Sequence, residues 1–329
     1  MGIMLNKSDT IKKMDRMGKA RKPFLFVTDF LGEKNLVLSP DEVDNQKLLY
    51  NIGDYSNTQD SELEKNVDSL LFSKSPISEE QYHKAFAYVK ENLDYGNTYL
   101  VNLTQPTTIE LNRTIKDVFY QAKAPYKLWL KDKFVVFSPE IFVRIEASKI
   151  ASFPMKGTID ALLPDAENQI LNDPKETAEH NTIVDLIRND LSMVAKNVRV
   201  ERFRYIDRLK TNQKELLQVS SEIVGDLESD FFDKLGTHFF KLLPAGSISG
   251  APKKKTVEII CKAENYKRGF YTGIFGFFDG EKLDSGVMIR YIEEQNGKLI
   301  FKSGGGVTTF SDEEKEYNEM IDKVYVPIY

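Results

Sequence analysis

Hydrophobic and polar positions change their spacing several times along the chain, and each change predicts a different element. Near the start, "KPFLFVTDF" and "KNLVLSP" are apolar runs around a Leu-Gly-Glu turn, which predicts a β-hairpin. Residues 1–20 before it are polar and basic, so we expect a frayed end. The polar pattern of residues 40–76, which follow the hairpin, predicts irregular structure, with "YSNTQDSELEKN" as a loop. We therefore expect residues 1–77 to be a short lead-in that is integrated into the fold.

From residue 78 onward the pattern becomes regular. The segment Ser78 to Gln81 has the capping-box pattern, and apolar residues follow it at helical spacing. Strands are then predicted at "NTYLVNLTQ", "YKLWLK", "KFVVFSP", "IFVRIEA" and "IASFPM", and later at "GFYTGIFGFFDG", "LDSGVMIRYIEEQ" and "KLIFKSG". Helices are predicted near 174–195, 229–241 and 252–265, and a last helix follows Ser311. Consecutive strands with short polar turns favour antiparallel sheet, and the runs of strands and helices predict an α+β fold.

The composition limits the classes of binding partner and the cellular compartment that we expect for this protein. The 329-residue chain has a net charge of −5, so nothing favours nucleic acid or an anionic membrane as a partner. Cys261 is the only cysteine, which excludes a disulfide framework and a thiolate zinc site and fits a reducing compartment. No apolar run approaches the roughly 18 residues that a membrane span needs. We therefore expect a cytoplasmic protein.

The predicted helix in "NDPKETAEHNTIVDLIRNDL" carries two glutamates at helical spacing. Asp173 predicts its N-cap, and Glu176 stands where a capping box has its glutamate, so a cap would explain that residue. Glu179 lies three residues further on the same face, beside an apolar stripe. A carboxylate in that position is costly unless a metal or a cation pairs with it.

The last helix repeats this arrangement. The segment Ser311 to Glu314 has the capping-box pattern, and Glu316, Glu319 and Lys323 then follow on one side. Such a side is commonly a solvated face with a salt bridge. Two helices that each offer a Glu-x-x-Glu pair could instead meet around magnesium, which prefers few carboxylates, several waters and an anionic substrate. The spacing alone leaves both interpretations open.

Two further stretches are open to a structural and a functional interpretation. Gly304, Gly305 and Gly306 stand between a predicted strand and a predicted helix, where they could form a tight turn or bind an anion through backbone N–H groups. In "ASFPMKGTID", Lys156 ends an apolar run with no charge nearer than Asp160. A structural salt bridge is the ordinary explanation for such a lysine.

Eight segments follow one another between about residues 78 and 328: "GNTYLVNLTQ", "FSPEIFVRI", "PMKGT", "EHNTIVDLIRNDL", "PAGSISGAPK", "YTGIFGF", "MIRY" and "SGGGV…EKEYNEMIDK". In this order they resemble the chorismate-utilising enzymes, the family of anthranilate synthase component I and aminodeoxychorismate synthase component I. The first resembles the family's Tyr-Gln-Val-Asn-Leu strand, and "PMKGT" resembles its Pro-Ile-Lys/Ala-Gly-Thr turn. Residues 78–329 would then be a chorismate-binding catalytic domain.

The resemblance implies a fold, a metal and a substrate. The family fold is a sandwich of two antiparallel β-sheets flanked by helices, with the active site in a cleft. Family members bind chorismate together with Mg²⁺, and Glu179 and Glu319 match the direct metal ligands. Glu176 and Glu316 match the partners that hold metal-bound water. The substrate-binding positions of the family are matched by Gly157, Thr158, Tyr271, Arg290, Gly304, Gly305, Gly306 and Lys323.

The reaction that the resemblance implies depends on Lys156 and Glu140. Anthranilate synthases typically have alanine at the position of Lys156, whereas aminodeoxychorismate synthases typically have a lysine that attacks C2 of chorismate. Glu140 matches the acid that protonates the departing hydroxyl. The implied activity is formation of 4-amino-4-deoxychorismate for 4-aminobenzoate and folate, with ammonia from a separate glutamine amidotransferase subunit.

Other functions are alternatives that particular residues disfavour. Lys156 disfavours anthranilate synthase, and the presence of acid, nucleophile and metal ligands disfavours an inactive regulatory or binding subunit. Salicylate and isochorismate synthases use a lysine at the position of Leu100 to activate water, which leucine cannot do. Amine-adding members often have glutamine at Leu100, and the anthranilate branch has histidine at Gln218, so two polar contacts differ. The short N-terminal region predicts no tryptophan-binding feedback site.

Overall fold

The computed structural model describes residues 3–58, 69–210 and 215–328, and the strands within them form two antiparallel sheets. The strands of the first sheet are β1 (Phe24–Thr28), β2 (Asn35–Leu38), β9 (Ile141–Glu146), β10 (Lys149–Ser152), β11 (Met155–Asp160), β12 (Lys196–Lys210), β13 (Glu215–Asp226), β15 (Ile274–Phe278) and β16 (Leu283–Val287). Their order across the sheet is β11-β13-β10-β9-β16-β15-β1-β2, and β12 pairs with β13.

The second sheet is built from strands that come from the rest of the chain. They are β3 (Leu48–Ile52), β4 (Tyr55–Ser56), β5 (Phe72–Ser75), β6 (Leu100–Leu111), β7 (Tyr126–Leu130), β8 (Phe134–Ser138), β14 (Gly250–Ala251), β17 (Tyr291–Gln295) and β18 (Lys298–Val307). Their order is β14-β6-β18-β17-β8-β7-β3-β4, and β5 pairs with β6.

Helices surround the two sheets. They are α1 (Lys7–Lys19), α2 (Glu79–Asp94), α3 (Ile115–Gln121), α4 (Ala166–Asn172), α5 (Pro174–Ser192), α6 (Leu235–Phe239), α7 (Lys253–Ala263) and α8 (Glu313–Asp322). Short 3₁₀ turns occur at Pro40–Glu42, Phe231–Lys234 and Gly246–Ile248. In the described ranges, no helix combines the length and the apolar character that a membrane crossing requires.

Alternate residues of β1 face two different hydrophobic layers. Leu25 and Val27 pack with apolar residues of β3, β7 and β8 between the sheets. Phe24 and Phe26 pack on the opposite face with residues of α1 and α6. Every residue of β1 is therefore buried, which explains why its first four residues, "FLFV", are continuously apolar rather than alternating.

This architecture confirms the prediction of an α+β fold with two antiparallel sheets flanked by helices. The first hairpin is also confirmed, because β1 pairs antiparallel with β2. Ser78 caps α2 as predicted: its hydroxyl accepts from the Gln81 N–H, and the Gln81 side chain accepts from the Ser78 N–H. Strands β1 to β4 place the N-terminal region in both sheets. The domain boundary after residue 77 stays a prediction.

The expectation of a frayed N-terminus is wrong for the described residues. Helix α1 begins after Asn6, whose side chain accepts a hydrogen bond from the Asp9 N–H. Thr10, Met14 and Met17 of this helix are buried. They recur at the i, i+4 and i+7 positions of an amphipathic helix, a signal that the basic composition of the segment obscured.

Other segments are more regular than predicted, or are divided differently. Residues 40–76 contain β3, β4 and β5, and residues 59–66 of the predicted loop lie outside the described residues. The hairpin of β12 and β13 was not predicted. The single strand predicted at "LDSGVMIRYIEEQ" is two strands in different sheets, β16 and β17. The chain passes between the sheets there, and Arg290 adopts a left-handed backbone conformation with φ of 52°.

Candidate active site

A cavity of about 540 Å³ is lined by residues from both sheets and from helices α5 and α8. Its size lies within the range of small-molecule sites in proteins. Every predicted site residue except Glu316 lines it, namely Glu140, Lys156, Gly157, Thr158, Glu176, Glu179, Tyr271, Arg290, Gly304, Gly305, Gly306, Glu319 and Lys323. The fold therefore brings together side chains that are far apart in sequence. The chemical roles assigned to them stay predictions.

A bulge in β11 presents three of these residues to the cavity. The register between β11 and β13 shifts between Lys156 and Thr158, so Gly157 is an extra residue. Gly157 has φ of 77°. A Cβ atom at this position would lie 2.9 Å from Oε2 of Glu176. Glycine is thus favoured both by the backbone conformation and by the approach of the Glu176 carboxylate.

Lys156 points to the first of the two glutamate-bearing helices. Its Nζ donates to Oε2 of Glu179 over 3.4 Å, and the two side chains are 31% and 21% exposed. A Cβ atom at Gly306 would lie 3.8 Å from the same Nζ. The ammonium group is therefore held by a long, partly exposed ion pair beside the glycine-rich part of β18.

Helix α5 supplies Glu176 and Glu179 from its first turns. Asp173 caps the helix as predicted, because its carboxylate accepts the Glu176 N–H at 2.9 Å. The carboxylate of Glu176 lies against Gly157 and lines the cavity. A role in capping therefore does not account for the Glu176 side chain.

Helix α8 faces the cavity from the side of β18. It begins after Asp312, whose carboxylate accepts the Lys315 N–H at 3.0 Å, so the prediction of Ser311 as the cap is wrong. Nζ of Lys323 donates to Oε1 of Glu319 at 2.6 Å and to the carbonyl oxygen of Gly304 at 2.9 Å. The residue after the helix therefore joins a predicted metal ligand to the glycine strand.

The three glycines lie within β18 and pair with β6, so a tight turn at this position is ruled out. A Cβ atom at Gly304 would lie 2.1 Å from the carbonyl oxygen of Leu103. At Gly305 it would lie 3.2 Å from Oε2 of Glu316 and 3.3 Å from Oε1 of Glu319. Glycine at these positions allows close approach of the neighbouring strand and of the α8 carboxylates. Glu316, which is 5% exposed, thus lies directly behind β18.

The carboxylates of α5 and α8 have the donor chemistry that magnesium prefers. Among residues 3–58, 69–210 and 215–328, no group of three or more His, Cys, Asp or Glu side chains is arranged to hold a metal ion. Magnesium commonly takes only one or two carboxylates and completes its shell with water and substrate oxygen atoms. The residues therefore fit a magnesium site that the substrate helps to complete, and magnesium stays a prediction.

Glu140 lies at the start of β9, opposite the 3₁₀ turn that contains Ser247. The Ser247 hydroxyl donates to Oε1 of Glu140 at 2.8 Å. Desolvation raises the pKa of Glu140, although the bond from Ser247 and the charges of Lys156, Arg290 and Lys323 act in the opposite direction. A carboxyl group with a raised pKa is suited to hold and donate a proton.

Tyr271 and Arg290 provide further polar groups to the lining of the cavity. Tyr271 is 3% exposed, and desolvation raises its pKa, so its hydroxyl stays protonated and can donate. Nε of Arg290 is buried without a hydrogen-bond partner in the part of the chain that the structure describes. A guanidinium with an unused donor is suited to a carboxylate ligand.

Some cavity residues were missed by the sequence analysis or noted only as departures from the family. Ser247, Asn102 and Lys302 line the cavity without having been predicted. The sequence signal for Ser247 was the segment "PAGSISGAPK", which contributed only to the resemblance. Leu100 and Gln218 also line the cavity, so both departures affect the site itself.

Comparison with known proteins gives a family and a group of relatives. A family model described as chorismate binding enzyme matches residues 17–328. A Haemophilus influenzae protein named "Uncharacterized PabA-like protein" is 49% identical over 318 residues, which cover 97% of this chain and 96% of that protein. A solved isochorismate synthase from Bacillus anthracis, titled as putative and 2,3-dihydroxybenzoate-specific, superposes with a TM-score of 0.73 at 19% identity, covering 98% and 88% of the two chains. At that identity the likeness shows the fold alone.

Two relatives with different reactions are almost equally similar to this chain. Anthranilate synthase component 1 of Acetivibrio thermocellus is 33% identical, over 76% of this chain and 52% of its own. Aminodeoxychorismate synthase component 1 of Escherichia coli is 32% identical, over 76% of this chain and 57% of its own. Overall identity therefore does not discriminate between the two reactions, and the residues in the cavity must do so.

Proposed function

The chain belongs to the family of chorismate binding enzymes, and on that premise we propose that it converts chorismate and ammonia into 4-amino-4-deoxychorismate. The observation that carries the proposal is the position of Lys156. Its amine lies in the cavity, beside Glu179 and near Gly306, where the sequence resemblance assigns alanine to anthranilate synthases. An amine at this position offers a nucleophile that the anthranilate reaction does not require.

The proposed reaction has two substitution steps. Once the Lys156 ammonium has released one proton to solvent, its neutral amine forms a bond to C2 of chorismate, the two ring double bonds shift, and the C4–O bond breaks. Glu140 gives its proton to the departing oxygen, which leaves as water. Ammonia then forms a bond to C4 and the C2–N bond to Lys156 breaks, which returns the free amine.

The remaining cavity residues would bind and orient the substrate. Arg290, Lys323 and the Tyr271 hydroxyl are donors that suit the two carboxylates of chorismate. Glu179 and Glu319 would hold magnesium, with Glu176 and Glu316 binding its water. Bound magnesium would supply Lewis-acid withdrawal of electrons from the ring carboxylate.

Ammonia would come from a separate glutamine amidotransferase subunit, and the product would serve 4-aminobenzoate and folate synthesis. Among the relatives, the Escherichia coli protein is named for the same reaction. The match covers 57% of that protein, so its activity is proposed for this chain rather than transferred to it.

The test is to identify the product. The purified chain is incubated with chorismate, magnesium and ammonium salt, and in parallel with glutamine and an amidotransferase subunit, and the products are separated and weighed by mass spectrometry. We expect 4-amino-4-deoxychorismate. Anthranilate as the main product would assign the chain to the other reaction. No turnover in either mixture would contradict both.

A further inference from the structure

One buried guanidinium behind the cavity joins three of the segments that line it. Arg268 is 4% exposed and lies between α7 and β15. Its Nε and Nη2 donate to the two carboxylate oxygens of Glu264 at 2.9 and 2.6 Å. Nη1 donates to the Ile248 carbonyl at 2.8 Å and to the Thr272 hydroxyl at 3.2 Å. Nη2 also donates to the Asn102 carbonyl at 2.6 Å.

These contacts use all five N–H donors that a guanidinium has. The acceptors come from β6, the 3₁₀ turn after β13, the end of α7 and the segment before β15. A lysine ammonium has three donors and no planar fork, so it could not hold the same acceptors in the same geometry. The arrangement therefore depends on arginine specifically.

Each residue whose carbonyl oxygen accepts a hydrogen bond from the Arg268 side chain either lines the cavity or is next in sequence to a residue that does. Ile248 follows Ser247, whose hydroxyl donates to Glu140 at 2.8 Å. Asn102 lines the cavity from β6. A displacement of the guanidinium would therefore move the hydrogen-bond partner of the proposed acid.

The backbone of Arg268 is itself fixed from the other side. Nζ of Lys302 donates to the carbonyl oxygen of Arg268 at 2.9 Å, and the same Nζ pairs with Glu293 at 2.9 Å. Glu264 is held as well, because its Oε1 accepts the N–H and the hydroxyl of Thr104 at 2.9 and 2.7 Å. Both the backbone of Arg268 and its carboxylate partner Glu264 are thus held in place. The guanidinium between them therefore has little freedom to readjust.

We propose that Arg268 is a positioning residue for the chemical step, because it fixes the Ser247–Ile248 turn so that the Ser247 hydroxyl meets Glu140. It acts through other residues and does not line the cavity itself. The inference rests on the proposed function only in taking Glu140 as the acid of the reaction.

The test compares two buried arginines. In Arg268→Lys we expect kcat for chorismate consumption to fall by about tenfold or more while KM changes by less than about threefold, since misplaced catalytic groups mainly slow the chemical step. Arg113→Lys is the matched control: Arg113 is 7% exposed, and its guanidinium donates to Gln121 and to the Asn112 carbonyl. We expect both kinetic constants to be unchanged in the control. Equal kinetics in the two variants, or a change confined to KM, would overturn the proposal.

A second measurement separates positioning from general loosening of the protein. If Arg268 acts through Ser247, the kcat loss in the double variant of Arg268→Lys and Ser247→Ala is smaller than the product of the two single losses. Losses that multiply would contradict the inference. If Arg268→Lys does not fold, Thr272→Val removes one acceptor at nearly constant shape. It is expected to lower kcat selectively, and an unchanged kcat would count against the proposal.

The readout also distinguishes this inference from the proposed function. Chorismate consumption is followed whichever product forms, so anthranilate as the product would contradict the proposed function and leave the pattern of kcat losses intact. Formation of 4-amino-4-deoxychorismate with equal kinetics in the two lysine variants would contradict the positioning role alone.

Discussion

Two of the lysines that line the cavity lie on different strands, and their surroundings differ. Lys156 on β11 is 31% exposed and is joined to Glu179 over 3.4 Å. Lys302 on β18 is 3% exposed, and its Nζ donates to Glu293 at 2.9 Å and to the carbonyl oxygens of Arg268 and Lys267 at 2.9 and 3.3 Å. The rings of Tyr266 and Tyr291 also lie within 5.2 and 5.5 Å of it.

The difference indicates which lysine is available for chemistry. An ammonium has three donors, and Lys302 uses them all within the protein. Burial lowers its pKa, although Glu293 acts in the opposite direction. A lysine fixed in this way stabilises the structure, whereas the longer and partly exposed pair of Lys156 can be exchanged for contacts with a substrate. Substitutions at the two lysines and at the residues around them test this contrast.

The largest effect is expected at Lys156. Because the proposed mechanism forms a bond to its amine, Lys156→Ala should abolish formation of 4-amino-4-deoxychorismate. Some anthranilate appearing instead would show that ammonia can still reach the ring. Product analysis by mass spectrometry checks this, with Lys84→Ala as the control, since that exposed lysine pairs with Glu80 on the surface of its helix. Full activity in Lys156→Ala would exclude the covalent intermediate.

Glu140→Gln should remove the proposed acid while keeping its shape. We expect kcat to fall by about 100- to 10,000-fold, the range typical of general acids. The variant should bind chorismate with little change in affinity, which equilibrium titration would measure. A kcat within a few fold of the unmodified chain would assign the proton transfer to another group.

The same variant makes a prediction about stability and pH. The pKa of Glu140 is raised in the folded chain, so the unfolded chain ionises first as pH rises, and the folded state loses stability between the two pKa values. A glutamine side chain does not ionise, so the variant does not lose stability in this way. We expect the Tm of Glu140→Gln to exceed that of the unmodified chain near pH 7, and the difference to vanish below about pH 4, where the carboxyl is protonated in both states. A difference that grows as pH falls would contradict this sign.

Identical substitutions at the two lysines should separate structure from chemistry. Lys302→Met leaves Glu293 without its buried partner, and we expect a loss of about 3–5 kcal/mol in the free energy of unfolding. Lys156→Met breaks a partly exposed pair, and we expect a loss of about 1 kcal/mol or less. Urea denaturation of both variants measures the two values. Equal losses would show that the two lysines contribute equally to the free energy of unfolding.

The smallest effect is expected at the glycine strand. In Gly305→Ala the new Cβ would lie 3.2 and 3.3 Å from carboxylate oxygens of Glu316 and Glu319, so both must shift. We expect magnesium binding, measured by calorimetry, to weaken by about tenfold. Gly306→Ala is the neighbouring control, because its Cβ would contact Leu100 at 3.1 Å rather than these carboxylates. Equal magnesium affinity in the two variants would show that Glu316 and Glu319 do not take part in magnesium binding.

Much of the fold was accessible from local patterns in the sequence. The continuous apolar run of β1, the cap at Ser78 and the spacing of Glu176 and Glu179 each concern residues within a few positions of one another. Such patterns are set by backbone periodicity and by nearby hydrogen bonds, which are the same in any protein. The ordered segments of the family resemblance then identified a set of residues that, apart from Glu316, line one cavity.

What the tertiary structure decided is the set of contacts between distant segments. Local sequence left a tight turn and an anion-binding backbone both open at Gly304–Gly306, whereas pairing with β6 makes these residues part of a strand. The five acceptors around Arg268 come from four separate segments, and no pattern within any one of them marks the arginine as their common partner. Ser247 likewise forms a hydrogen bond with Glu140, although the two residues are 107 positions apart in the sequence. Such contacts form only when the packed sheets bring these segments together, because hydrogen bonds act over about 3 Å whatever the separation along the chain.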